Sequence, residues 1–196
     1  MISGLRQFFY ILILLLGIAT YVSAVVQMLV KQYRPSYFSR GVWFLLGINS
    51  FAGVLLGGGS TASVILAGTL FVGNATVFAL SYKYGSRKFA GVEKISLGLL
   101  IISSCVWILL DAPFISLIIG LSAHFIGGLP TIWRAAKRPL SEQVLHWYLF
   151  FTASVLSIIS SPQKTAHTIL FPAYFACFDG LIIILVNKHQ LLRKLV

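Results

Sequence analysis

Seven long apolar runs, separated by basic clusters or tight turns, limit what this chain can fold into more than any other feature. They are Phe8–Val30, Gly41–Leu56, Ala62–Tyr82, Ile95–Leu110, Phe114–Trp133, Val144–Ser160 and Thr168–Val186. A helix that crosses the hydrocarbon core needs about 20 predominantly apolar residues. The runs either reach that length or come close to it, which predicts an all-α integral membrane protein with seven transmembrane helices. The break at Asp111-Ala112-Pro113 is required by length. Merging its flanks would give one helix of about 40 residues and about 60 Å, twice the thickness of the core. Asp-Ala-Pro is also good turn chemistry.

Composition agrees. Hydrophobic residues make up 58% of the chain and charged residues 10%, against about 25% charged in soluble domains. So little polar surface could not cover a water-soluble globule. The net charge of +11 does not point to nucleic acid, because the basic residues sit between apolar runs and not on one soluble face. Cys105 and Cys177 lie inside apolar runs without metal-ligand spacing, and read as small buried hydrophobes. Gly57-Gly58-Gly59-Ser60 is no phosphate loop, since no Lys-Ser/Thr follows at the required spacing. No catalytic constellation, metal site or cofactor is expected.

Orientation follows from the basic residues. The stretches after runs one, three and five, with the C-terminal tail, hold 13 of the 15; Arg6 and Lys164 are the other two. The positive-inside rule then predicts an outside N-terminus and a cytoplasmic C-terminus in a multi-pass protein, with the plasma membrane as its expected home. Met1–Ala24 resembles a leader ending in Val22-Ser23-Ala24. Its cleavage would turn every basic loop outward, so it is read as the first membrane helix.

A shift of 104 residues lays Tyr33–Leu46 on Lys137–Phe150, with Arg34-Pro35 on Arg138-Pro139, Trp43 on Trp147 and, further on, Ser50 on Ser154. The expected organisation is therefore a first three-helix repeat at 7–82, a basic loop and linker helix at 83–112, a second three-helix repeat at 113–187 and a basic tail at 188–196. A single linker helix lets both repeats enter from the same side, so they are expected to be parallel.

This 3+1+3 order of parallel triple-helix repeats resembles the SWEET and PQ-loop superfamily, which includes SemiSWEETs, KDEL receptors and PnuC-type vitamin transporters. The end of the fifth run, GGLPTIWRAAKRPLSE, carries the local likeness: Pro130-Thr131 stands at the Pro-Gln place and Ser141 at the serine's. In the first half Val26-Gln27 holds the same place. The resemblance implies hinge roles for Pro130 and Gln27. Of the family's helix prolines only Pro130 clearly matches; Pro35 and Pro139 precede their helices, which suggests an orphan branch.

Ionisable and amide groups at membrane depth are functional candidates by default. Here they are His124, Asp179, Asn49 and Asn74. Ser116, Gly120, His124 and Gly128 recur every four residues, a small-residue stripe that should turn His124 toward other helices. SWEETs hold substrate with an asparagine in helix three and another in helix seven, and the resemblance gives those places to Asn74 and Asp179. Asp179 is expected either to bind polar groups or to carry a proton, or else to pair with His124 in a structural hydrogen bond. The implied function is transport of a small polar solute (a sugar, or a vitamin- or nucleoside-like molecule) by alternating access, with protons as a candidate coupling ion. The alternative is a non-transporting receptor or sorting protein of the same fold. The expected partners are the bilayer, the solute and, as a homo-oligomer, further copies of the chain.

In a background without the two native cysteines, single cysteines placed in Lys31–Arg40, Lys83–Lys94 or Arg134–Gln143 should resist an impermeant thiol reagent in intact cells. Labelling of any two of these stretches from outside would overturn the orientation.

Overall fold

The computed structural model describes residues 2–87, 91–137 and 144–194. Ser141 and Arg138-Pro139 lie outside them. Seven helices follow in order: α1 (Ile2–Leu29), α2 (Tyr37–Leu56), α3 (Thr61–Tyr84), α4 (Gly91–Leu110), α5 (Pro113–Lys137), α6 (Val144–Ser160) and α7 (Ala166–Lys194). The described residues form no strand beyond an isolated bridge between Ser36 and Ser86. Five helices, α1, α2, α3, α5 and α7, are long and apolar enough to cross a membrane. Two shorter apolar helices, Lys94–Leu110 and α6, accompany them. Arg40 and Arg134 lie within helices and not in the loops expected for them, because the helices run on past their apolar stretches.

Local chemistry sets the helix ends. Ser36 and Ser60 are N-caps, accepting from Ser39 N at 3.3 Å and Ser63 N at 3.2 Å. At the end of α2, Gly57 N donates to Gly53 O at 2.9 Å, and Gly58 takes the left-handed φ of +79° that a side chain would oppose. The break between α4 and α5 falls where the sequence placed it. Asp111 turns the chain at φ 48°, and Pro113 opens α5, where its missing N–H costs nothing.

α3 packs against both α1 and α2, which do not meet each other, and α7 packs likewise against α5 and α6. Across the molecule α1 lies on α6, α2 on α5, α3 on α6 and α7, and α2 on α7. Among the described residues α4 touches only α5 and α2. One apolar cluster joins α1, α3, α5, α6 and α7 through Ile13, Leu66, Leu70, Leu117, Leu121, Phe150 and Phe175. The outer faces stay apolar: Ile108 and Leu109 are 74% and 76% exposed. In water such surface would be an aggregation hazard, whereas against lipid it is matched.

Cys105 and Cys177 correct an expectation. Both are free thiols exposed on the outside of the bundle. A membrane helix is apolar all round, so an apolar neighbourhood in sequence does not tell its lipid face from its bundle face.

A proline shapes the contact between α3 and α7. Pro172 lies inside α7 and has no N–H, so the Thr168 carbonyl loses the helical partner due to it. Ser63 Oγ donates to that carbonyl instead, at 2.6 Å. Ser63→Ala should therefore strand a buried acceptor and lower stability by about 1–3 kcal/mol. Thermal unfolding of purified protein checks this, and an unchanged midpoint would contradict it.

Candidate functional site

His124 is the hub of the interior. It sits midway along α5 at 5% exposure, and Ser116, Gly120 and Gly128 of its stripe are buried with it. Its Nδ1 lies 2.7 Å from Tyr174 Oη of α7. Rings surround it edge-on: Trp43 of α2 at 4.4 Å, then Phe175 at 4.9 Å, Phe178 at 5.1 Å and Tyr174 at 5.5 Å. The face formed by Tyr174, Phe175 and Phe178 follows from helical spacing. It presses closely on α5, where a Cβ at Gly128 would fall 2.5 Å from the Phe178 ring. Nε2 of His124 is buried and has no hydrogen-bond partner.

Asp179 is buried at 1% exposure on α7, and its Oδ2 has no partner. It does not pair with His124; His124 bonds to Tyr174 instead. Asp179 acts electrostatically on the phenols of Tyr174 and of Tyr21 on α1. Tyr21 packs on Gly73 of α3, beside Asn74; a Cβ at Gly73 would lie 2.1 Å from its ring. Arg40 of α2 acts on Tyr21 as well, donates to Tyr33 Oη and lies 5.8 Å from the Trp43 ring centre. A buried carboxylate on α7 and a half-buried guanidinium on α2 thus both act on the Tyr21 phenol of α1.

The other sequence candidates separate. Asn74 is 2% exposed and faces α2, with Nδ2 3.8 Å from the place a Cβ would take at Gly47. Asn49 belongs to a different cluster. Its Nδ2 donates to Ser116 Oγ at 3.0 Å, and Ser103 Oγ lies 3.1 Å from its Oδ1. The Ser103 hydroxyl is also 2.6 Å from the Ser116 carbonyl, so one proton serves two acceptors. Both ends of the amide are occupied in joining α2, α4 and α5, a bracing role. Gln27 lies near the end of α1, where Nε2 donates to Ser23 Oγ at 3.3 Å and Oε1 is buried without a partner. Pro130 is inside α5, half-buried.

Sequence reasoning missed Tyr21, Arg40 and Tyr174. Tyr174 stands one helical face with Phe175 and Phe178, a signal present but shared with any packed helix. Tyr21 has none, since its role comes from Gly73 on another helix. No family model, curated protein or solved structure matches this chain.

Tyr174→Phe removes the partner of a buried imidazole nitrogen and should destabilise the protein by about 1–3 kcal/mol. The double variant Tyr174→Phe/His124→Phe should recover part of that loss, because both polar partners are then gone. Strict additivity in a double-mutant cycle would show that the 2.7 Å contact carries no coupling.

Proposed function

We propose that the chain is a multi-pass membrane transporter of a small polar solute, an orphan branch of the SWEET and PQ-loop superfamily, in which two three-helix halves expose a central site alternately to either side. The packing supports the two halves. Exchanging α1 with α5, α2 with α6 and α3 with α7 turns α1–α3 into α5–α7, α2–α3 into α6–α7, α1–α6 into α5–α2 and α3–α6 into α7–α2, all pairs in contact. The missing pair α1–α2 likewise maps onto the missing pair α5–α6. α4 then lies outside as the linker. In this reading all seven helices span the bilayer of the plasma membrane, the N-terminus lies outside, and the basic stretches face the cytoplasm.

The observation that carries the function is Asp179. A carboxylate at 1% exposure with an oxygen lacking any donor is expensive within a membrane helix, and such groups mark substrate or ion pathways. His124 Nε2 is a second unpartnered atom in the same interior. Together with Asn74 they provide the acceptors and donors a hydroxyl- or amine-bearing solute needs, beside aromatic faces that pack on its apolar side. Asn49 lines the α2–α5 seam from its braced position.

A solute panel of sugars, nucleosides, vitamins and amino acids, read first by thermal stabilisation and then by uptake into proteoliposomes, tests the proposal. Asp179→Ala should lose most of the uptake while remaining folded. Binding without uptake would favour the receptor reading. Wild-type affinity and transport in Asp179→Ala would remove this residue from the site.

A further inference from the structure

Apart from His124, the buried side-chain atoms without a hydrogen-bond partner among the described residues gather on α1, α6 and α7. Three stand in order from one end of α6: Ser157 Oγ, Ser154 Oγ and, on α7, Asp179 Oδ2. Both serines are 0% exposed and Asp179 is 1% exposed.

Their order along the membrane follows from the helix register. α6 and α7 are joined by a short turn and run antiparallel. A Cβ at Gly180 would meet the Phe151 ring at 3.2 Å, and the Trp147 and Phe178 rings lie 6.1 Å apart. Asp179 therefore stands at the level of Phe150 and Phe151, one turn beyond Ser154. Ser154, Ser157 and Ser161 share one face of α6 and its end, by their spacing of three and four residues. The steps from Ser161 to Ser157, to Ser154 and to the level of Asp179 are about 6, 4.5 and 4.5 Å along the axis. Two hydrogen bonds in series cover about 5.6 Å. One bridging water therefore reaches across each of the two inner steps, and the step from Ser161 takes two.

Near the α6–α7 turn two hydroxyls from different helices already meet. Ser161 Oγ donates to the Ser157 carbonyl at 2.9 Å, which leaves its oxygen to accept from Ser60 Oγ at 2.7 Å. Ser63 gives its own proton to the Thr168 carbonyl, so its oxygen, 2.9 Å from Ser60 Oγ, competes with Ser161 for the Ser60 proton, and the contact to Ser161 is the shorter of the two. Ser60 and Ser161 are 7% and 4% exposed, and residues 162–167 beyond them are exposed. The outer end of the chain of hydroxyls therefore lies one residue from open solvent.

We infer that Ser60, Ser161, Ser157 and Ser154, bridged by water, form a proton-conducting file from the α6–α7 turn to Asp179. A proton entering at Ser60 is passed by successive exchange along hydroxyls and waters; the carboxylate takes up one proton and becomes a carboxylic acid, and the hydroxyls are left as they began. The bridging waters are reasonable because buried polar atoms left unsatisfied by protein are commonly met by water. Asp179 acts on Tyr21 of α1 and Tyr174 of α7; elsewhere in the bundle α5 carries His124, tied to Tyr174, α2 carries Arg40, which acts on Tyr21, α3 carries Asn74, and α6 carries the serines, Trp147 and His146, whose ring lies 4.2 Å from Trp147. Along α6 the hydroxyls lead from the level of Asp179 to the turn, where the Lys164 ammonium donates to the Ile158 and Ile159 carbonyls. The inference rests on the reading of the chain as membrane-spanning with Asp179 as its central polar group, and it makes protons the coupling ion.

Infrared hydrogen–deuterium exchange tests it without any solute. In reconstituted protein the C=O stretching band of the protonated Asp179 carboxyl is assigned by its loss in Asp179→Asn, and its shift is timed after transfer to D2O. Ser157→Val and Ser157→Thr have nearly the same shape and differ in the hydroxyl. Exchange should slow at least tenfold in Ser157→Val and stay within about twofold of wild type in Ser157→Thr. If this bulkier pair does not fold, Ser157→Ala should give the slowing. Equal rates in the Val and Thr variants, or unchanged exchange in Ser157→Ala, would overturn the file. Because the readout needs no solute, the two proposals fail separately. Hydroxyl-dependent exchange without uptake of any solute sinks only the transporter reading. Uptake with hydroxyl-independent exchange sinks only the proton route.

Discussion

In hydrocarbon there is no water to satisfy a peptide group, and everything else in this fold follows from that shortage. Each unsatisfied N–H or C=O costs several kcal/mol there. Helices meet the demand locally, which is why the described chain is helical nearly throughout. The demand returns wherever a helix is interrupted, and at several of these places a side chain answers it. Ser36 and Ser60 cap α2 and α3. Ser63 supplies the hydrogen bond that Pro172 removes from α7, and by doing so ties α3 to α7. A backbone defect in one helix thus becomes a contact between two.

The same shortage divides the interior polar groups into two kinds. Asn49 is fully engaged with Ser103 and Ser116, and holds three helices together. Interhelical hydrogen bonds of this kind are worth only modest free energy each, about 1 kcal/mol, but they fix which faces meet. Asp179 and His124 differ: each keeps an atom that the protein leaves unpartnered. An interior that gives both polar atoms of an asparagine a partner yet leaves a carboxylate oxygen and an imidazole nitrogen without one has spare polar capacity beside them. Water, a proton or a solute group is what such capacity suits, and this is the physical basis for the site proposed there.

Aromatic packing positions that place. Trp43, Phe175 and Phe178 close on the imidazole from two helices, and Tyr174 takes one of its nitrogens. Small residues make the approach feasible, Gly128 admitting Phe178 and Gly73 admitting Tyr21. Rings fixed in this way lose little on binding a ligand, so they serve a site better than flexible chains of equal area would.

The number of helices, the break at Asp111–Pro113 and the inward turn of the His124 stripe were legible in the sequence. Each depends on local spacing: run length against bilayer thickness, proline chemistry, and a period of four. His124 and Asp179 stood out in the sequence too, because an ionisable group in an apolar run is conspicuous. Pairing was not. Tyr174, and not Asp179, bonds to His124; Asn49 braces helices and keeps no free amide atom; Cys105 and Cys177 look outward. Membrane helices carry no polar face to mark the outside, so rotation about the helix axis leaves little trace in composition. Only the packing of one helix against another decides which side of an apolar run is interior, and with it which polar atoms find partners.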